Sequence, residues 1–370
     1  MNGRVPLARR YVFAERRRAA MATAAIAVAF LLVLILDGIF AGAMSQVTAY
    51  VRRTSADVIV SQSGVRTMHM SVSSLPEDAA GRVRSVGGVN TVQPIWFASG
   101  AVGSPSGREL SYVIGYTPGA LGGPAQLASG RAPGHGEAVL DTVAAHQLGL
   151  RLGDQVRVLG TDFRIVGLSS GGTSIVNTTT FVTATDFAAI RGPSPSYLLV
   201  TAQPGFTADE LRDRIAAAVP GVTVQTRDEF AAQEARIVSD MSSDILSIGS
   251  TIGFVIALAV IGLTLFTLTL ARIRDYGVLK AIGARPRRLA GLVIAQAAWS
   301  IALAVVASVV LAFVVSAAVV RVAPTLDILV TVGSVARVAV AATAIGIFAS
   351  LLPLRRVLAV DAASAFRRAS

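Results

Sequence analysis

The sequence predicts a multi-pass α-helical membrane protein with four transmembrane helices and one large α+β domain on the extracytoplasmic side. Three observations predict this. Hydrophobic residues make up 53% of the 370-residue chain and charged residues only 15%, against about 25% charged in soluble domains. Four apolar stretches have the length, roughly 20 residues, that crosses hydrocarbon. The charges also sort by segment, with basic residues crowded into three short stretches beside those spans.

The elements follow in chain order. Residues 1–18 carry Arg4, Arg9, Arg10, Arg16, Arg17 and Arg18 and read as a cytoplasmic amphipathic segment. Residues 19–43 form the first span, broken only by Asp37. Its basic front and the Ala41-Gly42-Ala43 triplet resemble a signal peptide. A signal peptide's apolar region runs only about 7–15 residues, and the run here is longer, so it is read as a span. Residues 44–244 form the extracytoplasmic domain. Residues 245–271 are the uncharged second span, 272–288 a cytoplasmic coupling loop and 289–320 the third span. Residues 321–334 are a short outer loop, 335–354 the weaker fourth span with Arg337 near its start, and 355–370 a cytoplasmic tail.

The three end and loop segments hold 16 basic residues against three acidic, whereas residues 44–244 hold 15 basic and 17 acidic. By the positive-inside rule both termini and the 272–288 loop face the cytoplasm of a cell (inner) membrane, and residues 44–244 lie outside. Four spans satisfy that topology; three or five do not. The net charge of +11 is thus a topology signal with added attraction to anionic lipid. It is not the basic patch of a nucleic-acid binder. Asp37 and Arg337 sit near the outer ends of their spans, and whether they pair or are separately hydrated stays open.

Several chemistries are excluded. The chain has no cysteine, hence no thiolate ligand or nucleophile. Lys280 is the only lysine and is followed by Ala281. A Walker A loop needs Lys followed by Ser or Thr, so this chain has no P-loop and cannot be an ABC-type ATPase by itself. His69, His135 and His146 form no H-E-x-x-H, and there is no G-x-S-x-G. Pro133-Gly134-His135-Gly136-Glu137 reads as a turn before a helix rather than a ligand pair. No catalytic, cofactor or metal residue is expected.

The 44–244 region mixes strands and helices without a βαβ rhythm. Alternation predicts strands at Asp57–Ser61, Tyr112–Tyr116, Gln155–Leu159, Phe163–Leu168 and Tyr197–Thr201. Helices are predicted at Pro76–Ser85, Thr142–Leu148, Thr185–Ile190 and Thr207–Ala218, the last opened by a capping box. Gly149 to Gln155 reads as a tight turn into a small β-rich lobe, and Gly171-Gly172-Thr173 as a loop. Two lobes are expected.

Helical pattern extends past the spans. Phe230, Ile237, Met241, Ile245 and Ile248 form one apolar face running into the second span, and Met44, Val47 and Val51 continue the first. Together they predict a stalk of two helices, with two ordinary amphipathic helices at the domain's base as the alternative. Gly249 and Gly253 form a G-x-x-x-G pair, which fits either a dimer seam or packing within one subunit. In the coupling loop, Tyr276, Val278, Leu279 and Ile282 give a short apolar face between basic ends. That suits docking in a partner's groove, with Gly283 ending the helix and Pro286 preventing its continuation.

The loop Arg272-Ile273-Arg274-Asp275-Tyr276-Gly277-Val278-Leu279-Lys280-Ala281-Ile282-Gly283-Ala284 resembles the R-x-R-E-x-G-[IVL]-L-[KR]-A-[IL]-G-A segment of the FtsX-like permease family, which includes the MacB- and LolC/LolE-type subunits. Asp275 replaces the usual Glu. The tail Pro353 to Ala363 is similar to the family's ending but lacks its proline before the valine. The Gly-Glu-Ala-Val-Leu, Leu-Gly-Leu-x-x-Gly-Asp and Phe-x-Ile-Val-Gly elements resemble a MacB-type periplasmic core domain. The resemblance implies the permease subunit of a type VII, MacB-like ABC transporter, itself not an enzyme. Its partners would be two ABC ATPase subunits, which would bind the ATP and Mg, a second copy or a paralogue, the lipid bilayer and a periplasmic or cell-wall protein. Arg274 through Ala284 would act as coupling helix, and ATP-driven motion would pass through the stalk to the outer domain for export or extraction. The alternative is an FtsX-like regulator that activates a cell-wall hydrolase and transports nothing.

Overall fold

A computed structural model describes residues 16–69, 71–172, 177–271, 273–282, 284–322 and 328–358. The chain divides into two compact units, one of residues 43–242 and one of residues 1–42 with 243–370.

The 43–242 unit is built on a ten-stranded sheet with spatial order β10-β1-β9-β2-β3-β8-β5-β7-β4, and β6 beside β2 and β7. Its strands are β1 (Val58–Gln62), β2 (Val89–Ser104), β3 (Gly107–Tyr116), β4 (Leu127–Gly130), β5 (Glu137–Asp141), β6 (Gln155–Val158), β7 (Thr161–Ser169), β8 (Thr178–Thr183), β9 (Tyr197–Ala202) and β10 (Val222–Thr226). Four short helices accompany them: α2 (Ala79–Arg84), α3 (Thr142–Gln147), α4 (Ala184–Arg191) and α5 (Ala208–Ala218). All five expected strands and all four expected helices are present.

The long strand β2 organises the unit. Its first half pairs with β9, from Val89 opposite Ala202 to Ile95 opposite Tyr197. Its second half pairs with β3, from Trp96 opposite Gly115 to Ser104 opposite Gly107. Pro94 lies where β2 has β9 as its only partner, the kind of position that tolerates a missing N–H. The two halves give the two expected lobes. One packs α2 and α5 on β1, β9 and β2 through Val58, Val60, Val83, Leu198, Leu211 and Ile215. The other packs α3 and α4 on the β3–β8–β5–β7 side through Val113, Ala144, Leu148, Ile165 and Phe187.

Local chemistry explains the ends of elements. Thr207 accepts from the Glu210 amide while the Glu210 carboxylate accepts from the Thr207 amide, so the capping box is closed at α5. Gly149 and Gly153, at φ 66° and 97°, make the turn that admits β6, a conformation costly for any residue with a Cβ. The His135 turn leads into strand β5 rather than into a helix. Asp186, 6% exposed, accepts from the Thr183 hydroxyl and the Gly136 amide and contacts His135 Nδ1 at 2.6 Å. That tie holds the turn against the start of α4, and Glu137 meanwhile pairs with Arg131. At the Gly171-Gly172-Thr173 loop, Gly171 and Gly172 lie outside regular structure, and Thr173 lies outside the described residues.

The other unit is helical. α1 (Arg16–Arg53) and α6 (Arg227–Ala271) enter it from the sheet domain's sequence, followed by α7 (Ile273–Ala281), α8 (Pro286–Val322) and α9 (Val332–Leu358). Among the described residues, three helical stretches are long and apolar enough to cross a membrane: Ala20–Arg53, Thr251–Ala271 and Pro286–Val319. The segment expected as a fourth span lies in α9, whose apolar stretch among the described residues, Val332–Phe348, is shorter than these three. These helices meet through Ile26, Phe30, Leu34, Ala257, Ile261, Ala297, Ala304, Ala342 and Ile345. Their outward faces carry Val28, Ile252, Leu263, Val306, Phe313, Val340 and Phe348. A core that mixes alanines with large apolar side chains, under an outer surface that is itself apolar, is the pattern of a bundle solvated by lipid.

Arg337 Nη2 donates to both oxygens of Asp37 at 2.8 Å, so the two expected spans that carry them are tied by an ion pair. Gly253 faces Val33, whose Cγ2 lies 3.6 Å from where a Cβ would be, whereas Gly249 has nothing within 4 Å. Gly253 thus serves packing within the subunit, and Gly249 presents open surface.

Two outcomes test this packing. At Gly346 an added Cβ would lie 2.3 Å from Ile301 Cδ1. Gly346→Leu should therefore overpack the α8–α9 contact by about 1–3 kcal/mol and lower the thermal midpoint of the detergent-solubilised protein. Gly346→Ala should cost less, because the end of Ile301 can turn away. An unchanged midpoint for the Leu variant would refute the close contact. Thr207→Ala should remove about 1 kcal/mol of local stability. Amide exchange at Asp209 to Leu211 should then rise roughly fivefold, with little change in β8.

Candidate functional site

The segment expected to couple to an ATPase forms a short helix of its own. α7 spans Ile273–Ala281, and the Ile282 amide donates to the Val278 carbonyl, extending the turn by one bond. The side chains differ from the periodic expectation. Tyr276 is 6% exposed and packs with Leu289 and Val293 of α8, with Leu279 and Ala284 against the same cluster. The Tyr276 hydroxyl reaches Gln296 Oε1 at 3.3 Å. Tyr276 and Leu279 are therefore internal anchors, not docking contacts, and Gly277 is buried with them. Val278 and Ile282, at 44% and 76% exposure, carry the apolar surface instead, with Ala281 beside them. Burying a tyrosine ring against α8 gains more than exposing it, and this rotates the free face by about one residue. Lys280 is partly buried. The side chains of Arg274 and Asp275, and Gly283 altogether, lie outside what the structure describes.

The stalk residues have clear anchorage at the sheet end. Val51 and Phe230, at 3% and 0% exposure, belong to the sheet unit's central cluster with Ile59, Ile95, Ile114, Phe181 and Tyr197. Met44, Val47 and Ile237 are partly buried. Met241 and Ile245 lie on the helical backbone of α6, and their side chains are not among those described. Both chain connections between the two units are helical throughout, within α1 and α6.

Glu234 was missed by sequence reasoning. It is fully buried and sits four residues after Phe230 and three before Ile237. That places a carboxylate in the middle of the apolar face of α6, and the interruption is itself a readable signal. The Met68 amide donates to Glu234 Oε1, and His69 Nδ1 contacts Oε2 at 2.6 Å. A buried carboxylate persists only when its lone pairs are so satisfied, so the pair fastens the 65–69 loop to the root of α6. Tyr112 stands edge-on to His69 at 4.9 Å between ring centroids. Burial first, and the Glu234 charge second, push the Tyr112 hydroxyl up to about 12. Tyr197 is raised for the same two reasons, and it donates to the Thr67 carbonyl at 3.0 Å. These phenols stay protonated at any physiological pH.

Beside this cluster lies a groove of about 990 Å3 lined by Val47, Met68, His69, Trp96, Leu110, Phe187, Arg191 and Ile237, among others. A second, of about 640 Å3, is lined by Gly100, Arg108, Arg157, Asp162 and Arg191, among others. No group of three or more His, Cys, Asp or Glu suited to a metal occurs among the described residues.

Comparison with known proteins bears on the whole chain. The family model of the MacB-like periplasmic core domain matches residues 19–218, and that of the FtsX-like permease C-terminal region matches residues 247–362. An ABC transporter permease of Mycobacterium tuberculosis H37Rv is 27% identical over 365 residues, covering 95% of this chain and 96% of that one. Another, from Mycobacterium bovis, is 26% identical over 362 residues with the same coverage. Among solved structures, the periplasmic region of MacB from Actinobacillus actinomycetemcomitans aligns at TM-score 0.37 and 14% identity, covering 50% of this chain and 94% of that one. The extracellular domain of the noncanonic ABC-type transporter YknZ from Gram-positive bacteria aligns at TM-score 0.37 and 14% identity, covering 46% of this chain and all of that one. With one family model over more than half its length and a second over its C-terminal part, the chain belongs to the MacB/FtsX-like family of ABC transporter permeases, membrane proteins that work with an ATPase partner.

Proposed function

We propose that this permease subunit couples ATP hydrolysis in a separate ATPase to movement of its 43–242 domain, which handles substrate outside the cell for export or extraction. The observation that carries the reading is that both backbone connections between the units are unbroken helix. α6 alone runs 45 residues, about 68 Å at 1.5 Å rise per residue. A helix under axial load moves as a unit, whereas a loop would absorb the displacement. Val51 and Phe230 root the two helices in the sheet core, and the Glu234–His69 pair adds a second fastening.

In this reading four spans cross the bilayer, both termini and α7 face the cytoplasm, and two permeases assemble with two ATPases. Arg274 through Ala284 form the coupling element, with Val278 and Ile282 as the contact surface. ATP and Mg reside in the partner. The spans' interior, lined by Ile26, Phe30, Ala257, Ile261 and Ala304, supports a route that avoids threading a hydrophilic substrate between the helices.

Three outcomes follow. Val278→Glu with Ile282→Glu should abolish co-purification of the ATPase while thermal stability is kept, because both side chains are already exposed. Leu279→Glu should instead destabilise the α7–α8 contact. An intact complex in the double variant would end the coupling assignment. A Gly-Gly-Ser-Gly insertion after Asp240 should leave the complex assembled but abolish substrate-dependent stimulation of ATPase turnover; retained stimulation would show that α6 carries no force. Because the chain lacks cysteine, Ser129→Cys and Ala281→Cys can each be the sole thiol. A membrane-impermeant maleimide should label the first in intact cells and the second only after permeabilisation.

A further inference from the structure

Arg191 lies at the junction of two unlike surfaces. It is the basic residue in the last turn of α4, and it lines both the 990 Å3 groove and the 640 Å3 groove. The larger groove has the volume of a small-ligand site, at the top of the usual range of about 300–1,000 Å3. Its walls are apolar and aromatic, with Val72 and Leu110 exposed at 87% and 53% and with Trp96 and Phe187 beside them. The remaining lining is mainly serine hydroxyls, and no carboxylate is among the described lining residues.

The smaller groove is cationic. It holds Arg108, Arg157 and Arg191 against Asp162 alone. Asp162 is already engaged by Arg157, at 2.8 and 2.9 Å. Neither Arg108 nor Arg191 has an acidic partner among the described residues. Guanidinium groups held beside apolar surface without a carboxylate favour phosphate or carboxylate anions. Where β2 lines the larger groove, from Trp96 to Ser99, β3 is its one strand partner, and on the other side Ser196 occupies both the amide and the carbonyl of Phe97. A peptide adding there as an extra strand would first have to displace Ser196.

We infer that the two grooves form one binding site for a single-chain anionic lipid, with the acyl chain among Trp96, Leu110 and Phe187 and the phosphate head at Arg191 and Arg108. The site takes an anion with a long apolar body and discriminates against cationic or zwitterionic heads. Val47 of α1 and Ile237 of α6 also line the groove, so an occupant touches both helices assigned to transmit motion. That last consequence rests on the coupling reading, and binding itself does not.

The test uses the full chain without any ATPase, in phosphatidylcholine nanodiscs. Trp96 and Trp299 are the only tryptophans, so Trp299→Phe leaves Trp96 as sole reporter. The probe is lysophosphatidylglycerol carrying a doxyl quencher on its acyl chain, with the matching lysophosphatidylcholine as zwitterionic control. Quenching of Trp96 should saturate with the anionic probe and be about tenfold weaker with the control, whose choline cation would sit beside Arg108 and Arg191 with the lining carboxylate Asp162 already paired to Arg157. Arg191→Glu with Arg108→Glu should cost the anionic probe at least about tenfold, and Arg84→Glu should cost nothing. Leu110→Asp, at an already exposed position, should weaken both probes without lowering the thermal midpoint. Equal quenching by both heads, indifference to the arginine changes, or absence of quenching would overturn the proposal. So would inorganic phosphate displacing the probe at the probe's own concentration. Failure of the coupling reading would appear separately, as ATPase association that survives Val278→Glu with Ile282→Glu.

Discussion

A backbone passing through hydrocarbon must satisfy its own hydrogen bonds within each segment, because no water is present to do so. In this chain that constraint dictates more than the spans. The sheet domain is inserted between α1 and α6, so its two ends have to emerge from helices. The helical hydrogen-bond ladder does not stop where the apolar stretch stops; it continues to Arg53 on one side and begins at Arg227 on the other. The helical backbone is thereby continued beyond the apolar stretches into both ends of the sheet domain's sequence, at no further cost in unsatisfied groups.

Both helices are held at their sheet-domain ends. Burial of Val51 and Phe230 supplies part of this, and it is non-directional. The Glu234 carboxylate supplies direction. A buried carboxylate with one loop amide and one imidazole as its principal partners has few alternative arrangements, since each lost partner leaves charge unsolvated. The pair therefore fixes the rotation of α6 against the 65–69 loop, where apolar packing alone would tolerate slippage. At the opposite end, Tyr276 and Leu279 are spent on holding α7 to α8. A short helix held to its neighbour by two side chains is not free to roll, and its outward surface is consequently small.

The two grooves follow from the same architecture. β2 crosses from one lobe to the other, and its middle residues, Trp96 to Ser99, are left lining a cleft rather than filled in by a helix. α4 ends beside that cleft, and its last-turn arginine complements the helix dipole while also facing the basic groove. The helix therefore accounts for where the cation sits, and the cleft accounts for what the cation can meet.

Much was legible in the sequence, for identifiable reasons. Spans and charge sorting depend on composition over 20 residues, which lipid enforces without reference to tertiary partners. The capping box at Thr207 and the turn glycines at Gly149 and Gly153 depend on local backbone geometry, so they too were readable. β8 was not, because a strand of four threonines with Phe181 and Val182, buried on both faces, shows no alternation. Nor was β2, whose Pro94 and glycines resemble a loop until its two partner strands are known. The direction faced by Tyr276, the pairing of Asp37 with Arg337 across 300 positions and the convergence of Arg191 with Arg108 all required the fold. Local pattern and solvent preference are properties of neighbouring residues and survive in the sequence. Which distant side chains share a cavity or a charge is decided only when packing brings their elements together.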